Sequence, residues 1–231
     1  MKSCQLRTVL RDGAAAAWPI CLGYFPIGLS LGVLARQAGF TPLDIGLMSL
    51  LVFAGGAQFI GVAMIGAKAA PASIILTTFV VNFRHLLMSS ALAVHLRGVR
   101  KPFLALFAYG VTDESFAVNL RRFREGWDAR RALVVNHLSN GVWIASTIVG
   151  AMAGSLVPPG AAGIDFALPA MFIALLVFQV QNRIHVITAV VALAVSTAWN
   201  VLLPGDGFAV GAAVTAATIG YLLQRRKGNP A

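Results

Sequence analysis

Three short polar runs stand inside long apolar stretches, and each has residue types suited to holding a small charged solute. The first is Gly55-Gly56-Ala57-Gln58. Each glycine weakens a helix by about 1 kcal/mol relative to alanine. A local break there would expose backbone groups to a polar ligand, as in transporters with discontinuous helices. The competing reading is a packing notch in which Gln58 bonds a neighbouring helix. The second run is Asn82-Phe83-Arg84-His85, with Arg84 at least ten residues from either end of the apolar stretch 71–96. So deep a guanidinium snorkels only partly. It needs a partner or a wet cavity, and it is well shaped to grip a carboxylate through two parallel hydrogen bonds. His85 adds an imidazole, a group that ordinarily titrates near neutral pH. The competing reading is an ion pair that fixes helix register. The third run is Thr112-Asp113-Glu114-Ser115, whose adjacent carboxylates could neutralise Arg84, receive an ammonium group or carry a coupling proton. A solvated surface segment is the alternative.

Weaker candidates surround these. Asn136, His137 and Asn140 fall near the start of a later apolar run, with Trp143 as packing or as part of an interfacial belt. Asn182, Arg183 and His185 read as an interfacial anchor, and Asp165 and Asp206 as loop residues. Pro19, Gly23, Pro26 and Gly28 suggest a kinked first helix. Cys4 and Cys21 have neither a disulfide framework nor metal-ligand spacing.

The elements that must carry these groups are membrane helices. Of the 231 residues 58% are hydrophobic and only 11% charged, with a mean hydropathy of +0.80. A soluble domain is about 45–50% apolar and about 25% charged. The formal charge of +10 would suggest nucleic acid in a soluble protein. Here the basic residues sit between apolar runs and at both ends, where cytoplasmic loops keep them. Candidate spans are 14–35, 43–67, 71–96, 102–120, 132–156, 165–181, 184–203 and 206–223. Their apolar stretches lack the alternation of barrel strands. Helices satisfy every backbone group internally, as lipid demands. The expected fold is therefore an all-α polytopic transmembrane bundle of about seven or eight spans. It forms one transporter domain over 1–231. The run from Ala14 to Ala35 is too long for the apolar core of a signal peptide, so a retained helix is expected.

Segment 102–120 is ambiguous. It carries both carboxylates and is flanked by Arg97, Arg100 and Lys101 before it and by five arginines from Arg121 to Arg131 after it. Eight spans with the N-terminus inside place 13 basic residues in the cytoplasm and 4 outside, leaving out Arg84. A re-entrant 102–120 with the N-terminus outside gives the same division, so the positive-inside rule does not separate the two arrangements. Both put the C-terminus in the cytoplasm. Gly28, Gly32 and Leu34 echo Gly150, Gly154 and Leu156, and Leu51-Val52-Phe53 echoes Leu176-Val177-Phe178. The echoes suggest repeat halves 14–96 and 132–203, inverted if 102–120 is re-entrant, with chance similarity between Leu/Gly/Ala-rich helices as the alternative.

No phosphate-binding loop, dinucleotide fingerprint, zinc-protease or serine-hydrolase motif occurs. Instead, Pro26, Gly28, Gly32, Gly39 and Ser49 are followed by Phe53-Ala54-Gly55-Gly56-Ala57-Gln58-Phe59. Then come Asn82-Phe83-Arg84-His85 and Thr112-Asp113-Glu114-Ser115-Phe116-Ala117. Trp143, Gly150, Gly154 and Asp165-Phe166-Ala167 complete the series. In this pattern, over nearly its whole length, the chain resembles the AzlC family of branched-chain amino acid exporters, also called the YgaZ type. Phe83 stands where leucine is more usual.

The resemblance implies the large subunit of a two-component exporter of valine-like amino acids or their analogues in a bacterial inner membrane. It also implies a small AzlD-type membrane partner. No ATP site is present, so an ion or proton gradient would drive transport. The expected substrate-binding or coupling set is Gly55, Gly56, Gln58, Asn82, Arg84, His85, Asp113 and Glu114, converging on a small hydrated pocket. No catalytic residue, cofactor or metal is expected. Two other classes remain: a non-transporting scaffold subunit, and an intramembrane metal-dependent enzyme using His85, Asp113 and Glu114. One His and two adjacent carboxylates are few ligands for zinc.

Overall fold

The computed structural model describes residues 2–158, 166, 169–170, 173, 176–177, 180, 183–202 and 215–223. Among them there is no strand. Asp165, Asn182, Asp206 and the C-terminal tail lie outside the described residues, as does much of the repeat half expected over 132–203. Two compact units divide the chain at Leu168 and Pro169.

The first unit holds α1 (Lys2–Gln37), α2 (Pro42–Leu51), α3 (Gly55–Gly66), α4 (Pro71–Ala93), α5 (Lys101–Tyr109), α6 (Asp113–Arg124) and α7 (Ala129–Ala153). The expected spans 43–67 and 102–120 are thus each two short helices rather than one long one. Local chemistry sets the starts. Thr41 and Asp44 form a reciprocal capping box at α2, as Thr112 and Ser115 do at α6. Pro71 opens α4, and the Asp128 carboxylate accepts the backbone N–H groups of Arg130 and Arg131 at α7. Gly39 and Gly126, both at positive φ, reverse the chain after α1 and α6.

α1 and α7 form the spine. Their residues pair in constant register: Asp12 bonds Arg131, Gly28 meets Ser146, Gly32 meets Gly150, and Gly154 meets Arg36. Numbers that rise together mean parallel helices. A Cβ on Gly32 would lie 2.2 Å from the Thr147 carbonyl oxygen, and one on Gly150 2.2 Å from that of Leu29. The backbones touch, so no side chain larger than hydrogen fits. Gly32 and Gly150, one from each echoed set, therefore meet at an interface that Gly28 and Gly154 also line, as small residues do in membrane helix pairs.

The other helices can be placed along this spine. α2 descends from the Gln37 end: Gly46 lies against Ile148 and Ser49 bonds Thr147. α3 turns back, beginning beside Trp143 at Gly55 and ending with Gly66 beside Ala38. α4 then runs the full length, antiparallel to α1. Leu92 and Leu96, in its last turn and just beyond, pack with Phe107, Val111, Phe123 and Ala132 near the start of α7. α5 rises from that end to Tyr109, which reaches Phe53. α6 returns, bringing Phe123 to stack on His95. Helices α2, α3 and α4 have 10, 12 and 23 residues, and α5, α6 and α7 have 9, 12 and 25. Both trios have three residues in the break (52–54 and 110–112) and four in the following link (67–70 and 125–128). One plan is used twice, in opposite directions.

α1, α4 and α7 are long and apolar enough to cross a membrane. In α1 and α7, 44% of the most apolar window is buried, and in α4 none is. Ile75, Leu76, Phe79, Leu86 and Leu87 of α4 are exposed, a surface suited to hydrocarbon. In the second unit, α8 (Arg183–Leu202) packs with a helical segment over 215–223 through Thr188 and Gly220. Arg183 and His185 begin α8.

Two outcomes follow. Gly32→Ala and Gly150→Ala each lower the melting temperature of the detergent-purified protein, by an overpacking cost of about 1–3 kcal/mol. Gly61→Ala, inside α3 where nothing lies within 4 Å of a new Cβ, does not lower it and raises it through up to about 1 kcal/mol of helix propensity. Equal melting of all three would show that the spine has room. Asn136 accepts from Asn119 and donates to the Phe107 carbonyl at 3.0 Å, so Asn136→Ala strands the buried Asn119 amide and takes one of two donors from that carbonyl. It costs about 1–3 kcal/mol in the same assay.

Candidate functional site

The two breaks meet. Residues 52–54 separate α2 from α3, with Phe53 at φ +34. Such a backbone is strained for a bulky residue. It places the Phe53 ring 6.4 Å from Tyr24 and 6.3 Å from Tyr109. The break expected at Gly55-Gly56 therefore lies just upstream of them. The glycines form the first turn of α3, and a Cβ on Gly55 would press on the Trp143 indole at 3.1 Å.

A broken helix frees backbone carbonyls, and polar side chains answer them one by one. The Tyr109 hydroxyl donates to the Leu50 carbonyl, and the Asn140 amide donates to that hydroxyl at 3.1 Å. Asn136 serves Phe107, and a ring nitrogen of His137 lies 3.2 Å from the Leu106 carbonyl. Ser115 donates to the Gly110 carbonyl, and its hydroxyl accepts the Thr112 N–H at 2.9 Å. His85 Nδ1 lies 2.8 Å from the Val111 carbonyl. A carbonyl only accepts, so Nδ1 carries the proton.

Gln58 is 1% exposed and fully engaged. Its amide donates to Ser49 at 3.0 Å, Ser49 bonds Thr147 at 2.9 Å, and the Trp143 indole N–H donates to Gln58 Oε1 at 2.8 Å. These contacts fix where α3 begins.

Asp113 is the first residue of α6, and one of its carboxylate oxygens lies 2.7 Å from Arg84 Nη1. The side chains are 28% and 18% exposed, so the pair is reachable but mostly sheltered. The Tyr24 hydroxyl lies 2.6 Å from the Glu114 carboxylate and 2.7 Å from the Thr112 hydroxyl. Its single proton goes to the carboxylate, and Thr112 then donates to the phenol oxygen. Two carboxylates at a helix start also suit the positive end of its dipole. Three buried atoms of α4 have no partner: Asn82 Oδ1, Arg84 Nε and His85 Nε2. Asn82 and His85 share a face of the helix at i and i+3.

Of the eight expected residues, Arg84, His85, Asp113 and Glu114 come together at the α5–α6 break. Asn82 sits one turn from His85. Gly55, Gly56 and Gln58 lie at the other break, and Gln58 reaches Glu114 through Trp143 and Tyr24, whose rings are 5.2 Å apart. Trp143, 2% exposed, is an internal donor rather than part of an interfacial belt. The sequence reading passed over Tyr24 and Tyr109. A tyrosine inside an apolar helix is a signal, because its hydroxyl needs a partner. No group of three or more His, Cys, Asp or Glu that could hold a metal ion occurs among the described residues.

Residues 19–157 match the AzlC protein family. A branched-chain amino acid transport protein, AzlC of Bacillus subtilis strain 168, is 28% identical over 231 residues, covering 98% of this chain and 89% of its own length. The inner membrane protein YgaZ of Escherichia coli K12 is 31% identical, covering 74% of each. An uncharacterized membrane protein of Archaeoglobus fulgidus is 33% identical, covering 87% of this chain and 90% of its own. No solved structure matches. The motifs around both breaks, the apolar helices and these relatives agree: the chain belongs to the AzlC family and is a membrane transport protein.

Proposed function

We propose that the chain exports branched-chain amino acids, valine-like in size, or their analogues. It acts as the large subunit of a two-component exporter in a bacterial inner membrane. The observation that carries this reading is the unfilled hydrogen-bonding at the α5–α6 break. A zwitterionic amino acid brings ammonium donors and carboxylate acceptors. Asn82 Oδ1 and His85 Nε2 are buried acceptors without donors, and Arg84 Nε is a buried donor without an acceptor. Unmet groups of this kind are costly, so a ligand that meets all three is bound selectively. Arg84 pairs with Asp113. An incoming carboxylate competes for the guanidinium, and the released Asp113 becomes available for the ammonium or for a proton. Glu114, held by Tyr24, is the second acidic group of the relay. The apolar side chain is taken by aromatic walls such as Phe53.

Arg84→Ala and Asp113→Asn are each expected to abolish valine, leucine and isoleucine efflux while the protein still reaches the membrane. Intracellular amino acid levels and membrane immunoblots read the two effects separately. Wild-type efflux from both variants removes the pair from the mechanism. Single removal is severe because it leaves its partner charged and sheltered.

The small partner is proposed from the family resemblance alone. Reconstitution into vesicles with an imposed proton gradient is expected to give counterflow of valine only with the AzlD-type chain present. Transport by this chain alone excludes both an obligatory partner and the scaffold reading.

A further inference from the structure

We propose that residues 42–66 and 101–124 are two re-entrant hairpins that enter the bilayer from opposite faces and touch at mid-depth. The first 153 residues then cross the membrane three times, starting from the cytoplasm.

Length is the first argument. At 1.5 Å per residue α4 is about 34 Å long, enough for a hydrocarbon core of about 30 Å. α2 and α3 are about 15 and 18 Å, and α5 and α6 about 14 and 18 Å, so each reaches only halfway.

Direction is the second. Gly66, at the end of α3, returns beside Ala38, just past the end of α1, so the link to α2 and the link from α3 share one face. Phe123, near the end of α6, returns to His95 and Ala132, so the links on either side of α5–α6 share the other. The parallel pair α1 and α7 requires an odd number of crossings between them. One crossing by α4 supplies it, whereas a re-entrant α5–α6 beside a spanning α2–α3 does not.

Satisfaction of the backbone is the third. Irregular chain survives at membrane depth only where protein or water covers it. Phe53 and Ala54 at one tip and Gly110, Val111 and Thr112 at the other are all buried. The carbonyls of Leu50, Gly110 and Val111 are met by Tyr109, Ser115 and His85. The tips meet through Tyr109 and Phe53.

Charge supplies the orientation. Lys2, Arg7, Arg11, Arg97, Arg100, Lys101, Arg121, Arg122, Arg124, Arg130 and Arg131 lie at one end of the unit, and only Arg36 and Lys68 at the other. The first end is cytoplasmic by the positive-inside rule. Arg84, about 20 Å along α4 from Pro71 and about 14 Å from Ala93, is then deep in the bilayer and lies beyond one hairpin from either side.

Single cysteines in a Cys4→Ser/Cys21→Ser background test this with an impermeant thiol reagent on intact and permeabilised cells. Gln37→Cys and Ala67→Cys are expected to label in intact cells, and Arg97→Cys and Arg124→Cys only after permeabilisation. If both hairpins spanned instead, Ala67→Cys and Arg97→Cys would exchange sides, and that result overturns the proposal. The reverse pattern at all four sites overturns the orientation. The readout does not depend on transport, so it stands or falls separately from the exporter reading.

Discussion

A peptide carbonyl cannot be left bare in an oily interior, and this requirement organises the protein. Two pairs of short helices turn back on themselves partway along the α1–α7 spine. Each interruption frees groups that cost several kcal/mol in hydrocarbon when unpaired. Tyr109, His85, Ser115, Asn136 and His137 all spend their hydrogen bonds on them. Part of the polar inventory of the first unit, including the buried Ser115 and Asn136, is thus explained by backbone repair. A different set keeps chemistry to spare.

That set lies on α4 and at the start of α6. Arg84 and Asp113 neutralise each other across the break, and the capping box of Thr112 and Ser115 holds Asp113 and Glu114 at the head of α6. Tyr24 ties Glu114 to the spine, while Trp143 ties Gln58 to it. The two breaks are therefore anchored to α1 and α7, whose backbones are in contact. α4 is held more lightly, with one side toward lipid, and it carries the unpaired atoms. A rigid spine thus stands beside a less buried helix.

The sequence made the membrane class legible because composition and run length report directly on lipid as solvent. It also marked the three polar runs, because charge and carboxamide inside apolar stretches have few innocent explanations. It offered a break at Gly55-Gly56 within 43–67 and a re-entrant 102–120 as one of two arrangements, but it did not place the three-residue interruptions at 52–54 and 110–112. Hydropathy averages over a break of three residues, and Phe53 at positive φ leaves no trace in composition. It assigned Gln58 to the same pocket as Arg84, whereas contacts with Ser49 and Trp143 occupy it at the other tip. Tyr24 and Tyr109 were invisible to a search for charge, since a phenol in an apolar helix looks like one more aromatic. Register between α1 and α7 was hinted at by the glycine echoes, but only geometry shows that Gly32 and Gly150 meet while Gly28 lies on Ser146 and Gly154 on Arg36.

The duplicated plan of α2–α4 and α5–α7 bears on energetics as well as shape. Two matched segments facing opposite ways can trade conformations, so that a form open to one compartment becomes its near mirror image, open to the other. States related in this way start almost level in free energy. A bias of only about 1.4 kcal/mol then tips their ratio tenfold.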